Sequence, residues 1–496
     1  MAYNDGYFHN VQAGGASVSN ELERNIYYEL LEKENGIYYQ VSAGTLQVAW
    51  DFVLILLMLS VLLLYKNGSY KLFEILILGI TVYLMLFEDR SKYLYMFLPI
   101  YVSAAGISFA EIDGQLLKIR KTIVMAGRNN MQKKRVGIIT FHFVNNFGGV
   151  LQAYALRKVV ERECNVEAEI IDYRNWFIRF TDRVRLLPIS TNLMEIITGF
   201  KTMGQRIGRR NKFGNFTKDN NKLSRKYLTH WQLNRCLPYD DTYICGSDQI
   251  WNPFLTMGVD ANYFLRFESD PNKKIAYAPS FGTNGVAKRY KKKIKRNLES
   301  IGYLSVREKS GKELIRELTG REAECLIDPT FLLEKEEWEG KGINPLDSDK
   351  PYILLYIMQR DIEMYKYARK IKEQMGIRLV EISRYGYQPG FVDKVLVDVG
   401  PAEFLGLFRD AAYICTNSYH GLIYSIIFEK DFCLIPCKRF KARINNMLEL
   451  LQIVVDTEDD NWKSLTANYD KKFLRDVIRR EKAKAVGFLI ESVGNK

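Results

Sequence analysis

Cysteine and histidine are scarce in this chain. Seven cysteines in 496 residues, with no CxxC pair and no Cys/His cluster, exclude a disulfide framework and a zinc site and point to a reducing compartment. The dinucleotide fingerprint GxGxxG is missing, so a dinucleotide cofactor is not indicated. No internal repeat or low-complexity tract is present, which excludes repeat architectures. The first 47 residues lack the basic start and early apolar run of a signal peptide, so nothing there reads as cleaved. Against these absences stand 47% hydrophobic and 26% charged residues, a composition that excludes a wholly disordered or collagen-like chain. At roughly 150 residues per domain the length suggests about three units.

The charge is divided unevenly. Six basic and eleven acidic residues among the first 112 give a net of −5, which leaves +18 for the remainder of a chain at +13. That excess suits nucleic acid, an anionic membrane face or a phosphorylated small substrate. The acidic part begins with a polar tail over 1–47 and continues into three apolar stretches, Val48–Tyr65, Leu72–Phe87 and Tyr93–Ala110. Their terminal Tyr and Trp residues extend them to bilayer length, so 48–112 reads as about three transmembrane helices. The alternative is a buried helical hairpin of a soluble domain. Links as short as KNGSYK and EDRSK leave no polar face along the stretches, which favours the membrane. Lys118, Arg120, Lys121, Arg128, Lys133, Lys134 and Arg135 follow the third stretch, and the positive-inside rule puts that end in the cytoplasm. The expected location is therefore the cell membrane, multi-pass, with an extracytoplasmic tail and the catalytic unit cytoplasmic. The run FEDRSKYLYMFLPIY resembles the closing helices of multi-spanning glycosyltransferases that use polyprenyl-phosphate sugars, without those enzymes' catalytic loops. The segment reads as an anchor.

A basic linker, 113–134, leads to a different pattern. RVGIITFHF reads as a strand, VNNFGG as a turn, GVLQAYALRKVVER as a helix and AEIIDY as the next strand. This βαβ opening predicts a parallel sheet covered by helices, an α/β class. The polar link Glu337–Pro351 marks a boundary between an N-terminal Rossmann-like domain, 135–340, and a C-terminal one, 341–496. Two Rossmann-like domains facing a cleft bind ligands at the C-terminal strand ends.

Several residues fall at those ends. Asn145, Asn146, Gly148 and Gly149 form the first strand-to-helix loop, where glycines allow close backbone approach and a helix start favours an anion; a tight turn without a ligand fits equally. His420 follows the strand AYICTNS and opens an apolar helix, a place for a proton carrier or phosphate ligand; the plain alternative is a turn cap. His142, ending strand 1, points at the same cleft edge or alternates with core residues. Arg307 ends the strand IGYLSVRE, where a guanidinium calls for an anion, either a ligand or an ion pair with Glu308. KRYKKKIKR, 288–296, reads as a solvated helix face or one lying on anionic lipid. No aromatic-interleaved nucleic-acid motif accompanies it, so nucleic acid is not an expected partner.

GIITFHFVNNFGGVLQAYAL, ICGSDQIWNP, YAPSFG, SVREKSG, IDPTFLL and TNSYHGLIYSIIF, in this order from about Arg135 to Pro436, resemble the polysaccharide pyruvyl transferase family. The resemblance implies a GT-B-like fold and transfer of the enolpyruvyl unit of phosphoenolpyruvate to sugar hydroxyls, commonly forming a ketal. It implies Arg307 as donor ligand and His420 as general acid and donor ligand; the Asn145–Gly149 loop, with Asn145, Asn146 and Gly148, and His142 are the further donor-binding candidates by their place at the strand ends. Many members carry an arginine two residues before the histidine; here that position is Ser418, which the resemblance sets against the donor. Asp248, in GSDQIW, is a candidate to orient or deprotonate an acceptor hydroxyl; a structural turn carboxylate fits equally. No metal or cofactor is expected, with phosphoenolpyruvate as co-substrate and a glycan or lipid-linked glycan as acceptor. The alternatives are a nucleotide-sugar glycosyltransferase on the same fold and a non-catalytic scaffold of glycan assembly.

Overall fold

The computed structural model describes residues 133–184, 193–237, 240–283, 285–347, 350–358, 361–383, 386–435, 441–453 and 470–494. The chain divides between Asn129 and Asn130 into two units, and all described residues belong to the second. The polar tail, the three apolar stretches and most of the basic linker lie outside them. Among the described residues no helix is long and apolar enough to cross a membrane.

The opening βαβ unit consists of β1 (Arg135–Ile139), α1 (Phe147–Glu163) and β2 (Glu167–Ile170). Helices α2 (Trp176–Val184), α3 (Leu193–Lys201), α4 (Met203–Asn220) and α5 (His230–Cys236) lead to β3 (Thr242–Cys245). The half is completed by β4 (Lys274–Ala276), α6 (Lys288–Leu298), β5 (Tyr303–Val306), α7 (Lys309–Thr319) and β6 (Glu324–Cys325). After α8 (Lys335–Glu339) comes a second set: β7 (Tyr352–Tyr356), α9 (Ile362–Met375), β8 (Arg378–Ile382), β9 (Lys394–Leu396), α10 (Pro401–Asp410), β10 (Tyr413–Thr416), α11 (Tyr419–Ile427) and β11 (Phe432–Leu434). Helices α12 (Lys441–Leu450) and α13 (Lys471–Gly494) follow.

The strands form two parallel sheets, ordered β2-β1-β3-β4-β5-β6 and β11-β10-β7-β8-β9. Runs such as TYIC and YILLY are buried at every position, as expected of parallel strands covered on both faces. In the first sheet β1 lies between β2 and β3, with register Val136 to Ala168 on one side and to Thr242 on the other. In the second, β7 lies between β8 and β10. At these points the strand order reverses, and the loops leaving the strand ends diverge and open a crevice. The loop 140–146, the loop after β3 and the start of α11 all begin there. The expected α/β architecture of two Rossmann-like sheets is thus present.

Aromatic residues join the halves. Phe147, opening α1, stacks on Phe404 of α10 with centroids 4.2 Å apart. Trp338 of α8 meets Tyr154 and Tyr424 edge-on at 5.7 and 5.5 Å. One apolar cluster therefore runs through both sets of elements. Burying a ring such as Phe147 contributes roughly 1.5–3 kcal/mol, and a favourable ring pair about 0.5–1.5 more. The stretch from Glu337 onward is less loop-like than its polarity suggests: Glu337 and Trp338 belong to α8, and the fully buried Trp338 indole donates to the Thr330 carbonyl at 3.0 Å. Helix α13 packs against α1, burying Val477, Ala485 and Leu489, and its Lys484 Nζ donates to the Cys325 carbonyl on β6 at 2.9 Å. The basic helix α6 buries only Ile294, Asn297 and Leu298, so its lysines form a largely solvated face.

Candidate active site

Four of the residues singled out in the sequence meet where the halves join: Gly148, Asp248, Arg307 and His420. Ser418 is the N-cap of α11, its Oγ accepting from the Gly421 N–H at 3.3 Å and its own N–H donating to Thr416 Oγ1 at 3.1 Å. This cap places His420 in the first turn of α11, at the positive end of the helix. The hydroxyl of Ser418 is thereby used in ending the loop.

Gly148 is what lets His420 reach the other half. A Cβ on residue 148 would lie 2.0 Å from His420 Nδ1 and Cε1, so the imidazole packs on bare backbone. Asn146 secures that backbone as the N-cap of α1, its Oδ1 accepting from the Gly148 N–H at 3.0 Å. Asn145 bonds elsewhere, its Oδ1 accepting from Arg209 Nε at 3.1 Å and its N–H donating to Asp182 Oδ1 at 3.3 Å. The loop after β1 is therefore a seat for His420, with one of its first-turn N–H groups already used by Asn146.

Arg307 emerges from β5 with its side chain 2% exposed. Its Nη1 donates to Asp328 Oδ2 at 2.7 Å, while Nε and Nη2 make no hydrogen bond among the described residues and lie 4.0 Å from Glu308 Oε2 and Asp248 Oδ1. Its main partner is Asp328 rather than the neighbouring Glu308. Burial works against the guanidinium charge, but Tyr419, Asp328, Asp248 and Glu308 outweigh it and hold Arg307 above its usual range. The Tyr419 ring lies 4.7 Å from its Cζ, a cation–π contact. Glu308 Oε1 is occupied by Ser280 Oγ at 2.7 Å and the Phe281 N–H at 3.1 Å.

Asp328 is fully buried and fixed from both sides. Oδ1 accepts from the Thr330 N–H at 3.1 Å and Thr330 Oγ1 at 2.8 Å; Oδ2 takes Arg307. Burial would raise its carboxyl, yet Arg307, His420 and the Thr330 bonds hold it below the ordinary carboxylate range. His420 Nε2 is 3.9 Å from the same Oδ2, too far for a hydrogen bond, and has no hydrogen-bond partner among the described residues. Burial pushes the imidazole down to about 4 despite the nearby Asp328 and Asp248, with Arg307 and Arg443 adding to the effect. The ring is accordingly neutral at pH 7. Asp248 occupies a left-handed backbone position at φ 69° and lies against Gly149. A non-glycine residue held there stores strain of the kind found at functional sites.

His142 is not part of this cluster. Its ring is fully buried with both nitrogens engaged, Nδ1 at 3.0 Å from the Thr140 carbonyl and Nε2 at 2.9 Å from Asp172 Oδ1. The expectation that it lines the donor site is corrected accordingly: the pairing of β1 with β2 supplies a partner that commits the ring. Asp328, Tyr419 and Arg443 line the site without being singled out in the sequence, and Glu308 is named there only as an ion-pair partner of Arg307. IDPTFLL carried the signal for Asp328, since a buried aspartate capping a turn after a strand stands at a strand end like the others.

A family model described as polysaccharide pyruvyl transferase matches residues 146–439. No curated protein matches the chain. Among solved structures the chain is similar to UDP-GlcNAc 2-epimerase from Methanocaldococcus jannaschii, at 14% identity and TM-score 0.32 over 70% of this chain and 99% of that one. It is also similar to UDP-GlcNAc 2-epimerase from Neisseria meningitidis, at 8% identity and TM-score 0.34 over 73% and 100%. A third is the ADP-heptose LPS heptosyltransferase II of E. coli, at 9% identity and TM-score 0.27 over 70% and 99%. None of these structural likenesses is close enough to bear on substrate or chemistry. The family match is of another kind: it spans more than half of the chain and includes Asn146, Gly148, Asp248, Arg307 and His420. The chain belongs to the polysaccharide pyruvyl transferase family.

Proposed function

We propose that this chain transfers the enolpyruvyl unit of phosphoenolpyruvate to a hydroxyl of a surface-polysaccharide precursor and closes a ketal on a second hydroxyl. The observation that carries the reading is His420 Nε2, a buried ring nitrogen without a hydrogen-bond partner among the described residues, 3.9 Å from a carboxylate oxygen already held by Arg307. The phosphate and carboxylate of the donor bring negative charge beside a ring that burial keeps neutral. That charge favours the imidazolium, so donor binding draws a proton onto His420. Nε2–H then protonates the methylene carbon of the donor, and one sugar hydroxyl adds to C2 while its proton passes to Asp248. Phosphate leaves with the electron pair of its bond to C2, and the second hydroxyl closes the ring as its proton passes to the departing phosphate. One donor and one diol give a methyl-bearing ketal and inorganic phosphate. Arg307 neutralises charge that grows on the leaving group, in a site where burial strengthens the effect.

The reading includes a location. Three apolar stretches followed by the basic run from Lys118 to Arg135 support an anchor that keeps the catalytic unit at the cytoplasmic face, beside a lipid-linked acceptor. Mass spectrometry of candidate glycan and lipid-linked acceptors, after incubation with the full chain and phosphoenolpyruvate, tests the reaction. A gain of one pyruvate ketal is expected. A hexose-sized gain that requires a sugar nucleotide would replace this reading with glycosyl transfer, and no gain with either donor would leave a scaffold.

A further inference from the structure

The two faces of the first sheet are covered by different parts of the chain. Ile138, Ile244 and Ile275 turn to the face where α1 and the C-terminal half pack. Their neighbours along the strands, Ile139, Cys245 and Ala276, turn to the other, where Ile178 of α2, Leu233 of α5, and Ile294 and Leu298 of α6 cover them. No residue of the C-terminal half belongs to that second cluster. Helices α2, α5 and α6 thus form one layer whose outer side points away from the other half. The segment 260–264 ties the layer together. Asp260 Oδ2 accepts from the Tyr173 hydroxyl at 2.8 Å and from Asn175 Nδ2 at 2.7 Å, immediately before α2. Asn262 Oδ1 meets Nδ1 of His230, the first residue of α5, and α6 packs against Ala261–Phe264.

The outer side of this layer carries large apolar groups. On α2 the buried positions are Ile178 and Asp182, while Trp176 and Phe180, one turn apart, stand in solvent. Trp231 lies in the first turn of α5, and Phe254 and Met257 shortly precede the tying segment; all five side chains belong to residues more than half exposed. Rings gathered in this way mark a surface that meets an apolar partner. Beside them α6 reads KRYKKKIKRNL, without an acid. Lys291 pairs with Glu317 and Lys295 with Glu299. Lys288, Arg289, Lys292, Lys293 and Arg296 are exposed and have no carboxylate partner among the described residues. Exposed rings beside unpaired cations match the two zones of a bilayer surface, an apolar interface under anionic headgroups. Arg235 already lies 4.4 Å over the Trp231 ring, on a face that a stacked base would need, so lipid suits this surface better than nucleic acid.

We propose that the outer side of α2, α5 and α6 docks on a bilayer with anionic headgroups, the rings entering the interface and α6 lying on the headgroups. The proposal rests on the location proposed above, at the cytoplasmic face of a membrane, and adds a contact made by the catalytic unit itself.

The test uses the full chain in phosphatidylcholine vesicles with and without phosphatidylglycerol, acetylated by a reagent that does not cross the bilayer and read by mass spectrometry. Relative to Lys366 on α9, Lys288, Lys292 and Lys293 should label about fivefold more slowly in the anionic vesicles. Salt at about 1 M should remove the difference. Lys292→Glu with Lys293→Glu should abolish the protection of Lys288, and Trp176→Ala with Phe180→Ala should reduce it; all four positions are exposed, so the fold is retained. Equal labelling in the two kinds of vesicle overturns the proposal, as does undiminished protection in the variant without the two rings. Protection by RNA or by an acidic protein, with none by lipid, overturns it in favour of that partner. Alkaline extraction reads the apolar stretches separately. Protein retained in both lipids but equally labelled would keep the anchor and remove the docking face, whereas protein stripped by alkali yet protected beforehand would keep the face and remove the anchor.

Discussion

Two histidine centres in this molecule are built from the same parts. His142 follows β1 and faces Asp172, which also takes Arg174; His420 follows β10 and faces Asp328, which also takes Arg307. In the first the ring lies 2.9 Å from its carboxylate, its second nitrogen meets a carbonyl, and Arg174 grips Asp172 through both oxygens at 2.6 and 3.0 Å. In the second the ring stops at 3.9 Å and Nε2 makes no hydrogen bond among the described residues. A satisfied His–Asp–Arg group stabilises the sheet edge it sits on. One left a bond short keeps a ring nitrogen open, the feature on which the proposed proton transfer rests. The difference of one ångström separates a satisfied centre from one left a bond short, and the proposed reaction places its chemistry at the second.

The largest effect that could break this comparison is on turnover. His420→Gln should lower kcat with phosphoenolpyruvate by ~10²–10⁴ while the protein stays folded, because an amide can bond an oxyanion but cannot deliver a proton to carbon. His142→Gln should do the opposite, costing about 1–3 kcal/mol of stability through the bond lost to Asp172 with kcat nearly unchanged. Steady-state kinetics and thermal unfolding of both variants decide between the two roles. Equal losses of turnover would mean that both centres are chemical.

Stability against pH sharpens the same contrast. A base whose folded pKa lies below its unfolded value binds fewer protons when folded, so stability is complete above the unfolded value and lost as pH falls toward the folded one. For His420 that window runs from 6.5 down to about 4, and the shift corresponds to about 3 kcal/mol. Asp172 behaves as a depressed carboxylate. Burial alone would raise it, but the bonds from His142 and Arg174 bring it from 3.8 to about 2, so its contribution is lost only as pH falls through that lower range. Unfolding of wild type and His420→Gln between pH 7 and 4 should therefore diverge, with the variant losing less; parallel curves would remove the buried neutral imidazole from the account.

A smaller effect is expected at Arg307. Arg307→Lys keeps the charge but loses the planar fork that serves Asp328 and an oxyanion together. Donor affinity should fall by roughly tenfold to a hundredfold, equivalent to ~1.5–3 kcal/mol. An unchanged dissociation constant for phosphoenolpyruvate would reduce the Arg307–Asp328 pair to a structural role like that of Arg174 and Asp172.

Which of these features the sequence discloses follows from what is local. The opening βαβ unit, the buried strands and the helix starts are set by patterns within a dozen residues. Hence both parallel sheets, the glycine loop and the place of His420 are legible. The partner of a side chain is not local. Asp172 closes His142 only because β2 pairs with β1, and Asp328 captures Arg307 across 21 positions because β6 lies beside β5. Arg443 is invisible for the same reason, since nothing in its own helix marks it as facing Tyr419. Trp338 sits in a stretch whose composition reads as a linker, and only the packing of Tyr154 and Tyr424 around it reveals an anchor of the core. The apolar stretches before Lys118 lie outside the described residues, so the proposed anchor rests on their sequence pattern.

The central claim is that His420 is neutral until the donor arrives and is then charged by it. Calorimetric titration of phosphoenolpyruvate near pH 7, in buffers of different ionisation enthalpy, counts the protons taken up on binding. Wild type should take up close to one proton more than His420→Gln. The same count in both proteins would contradict the account, because the proton delivered to the donor would then come from another group.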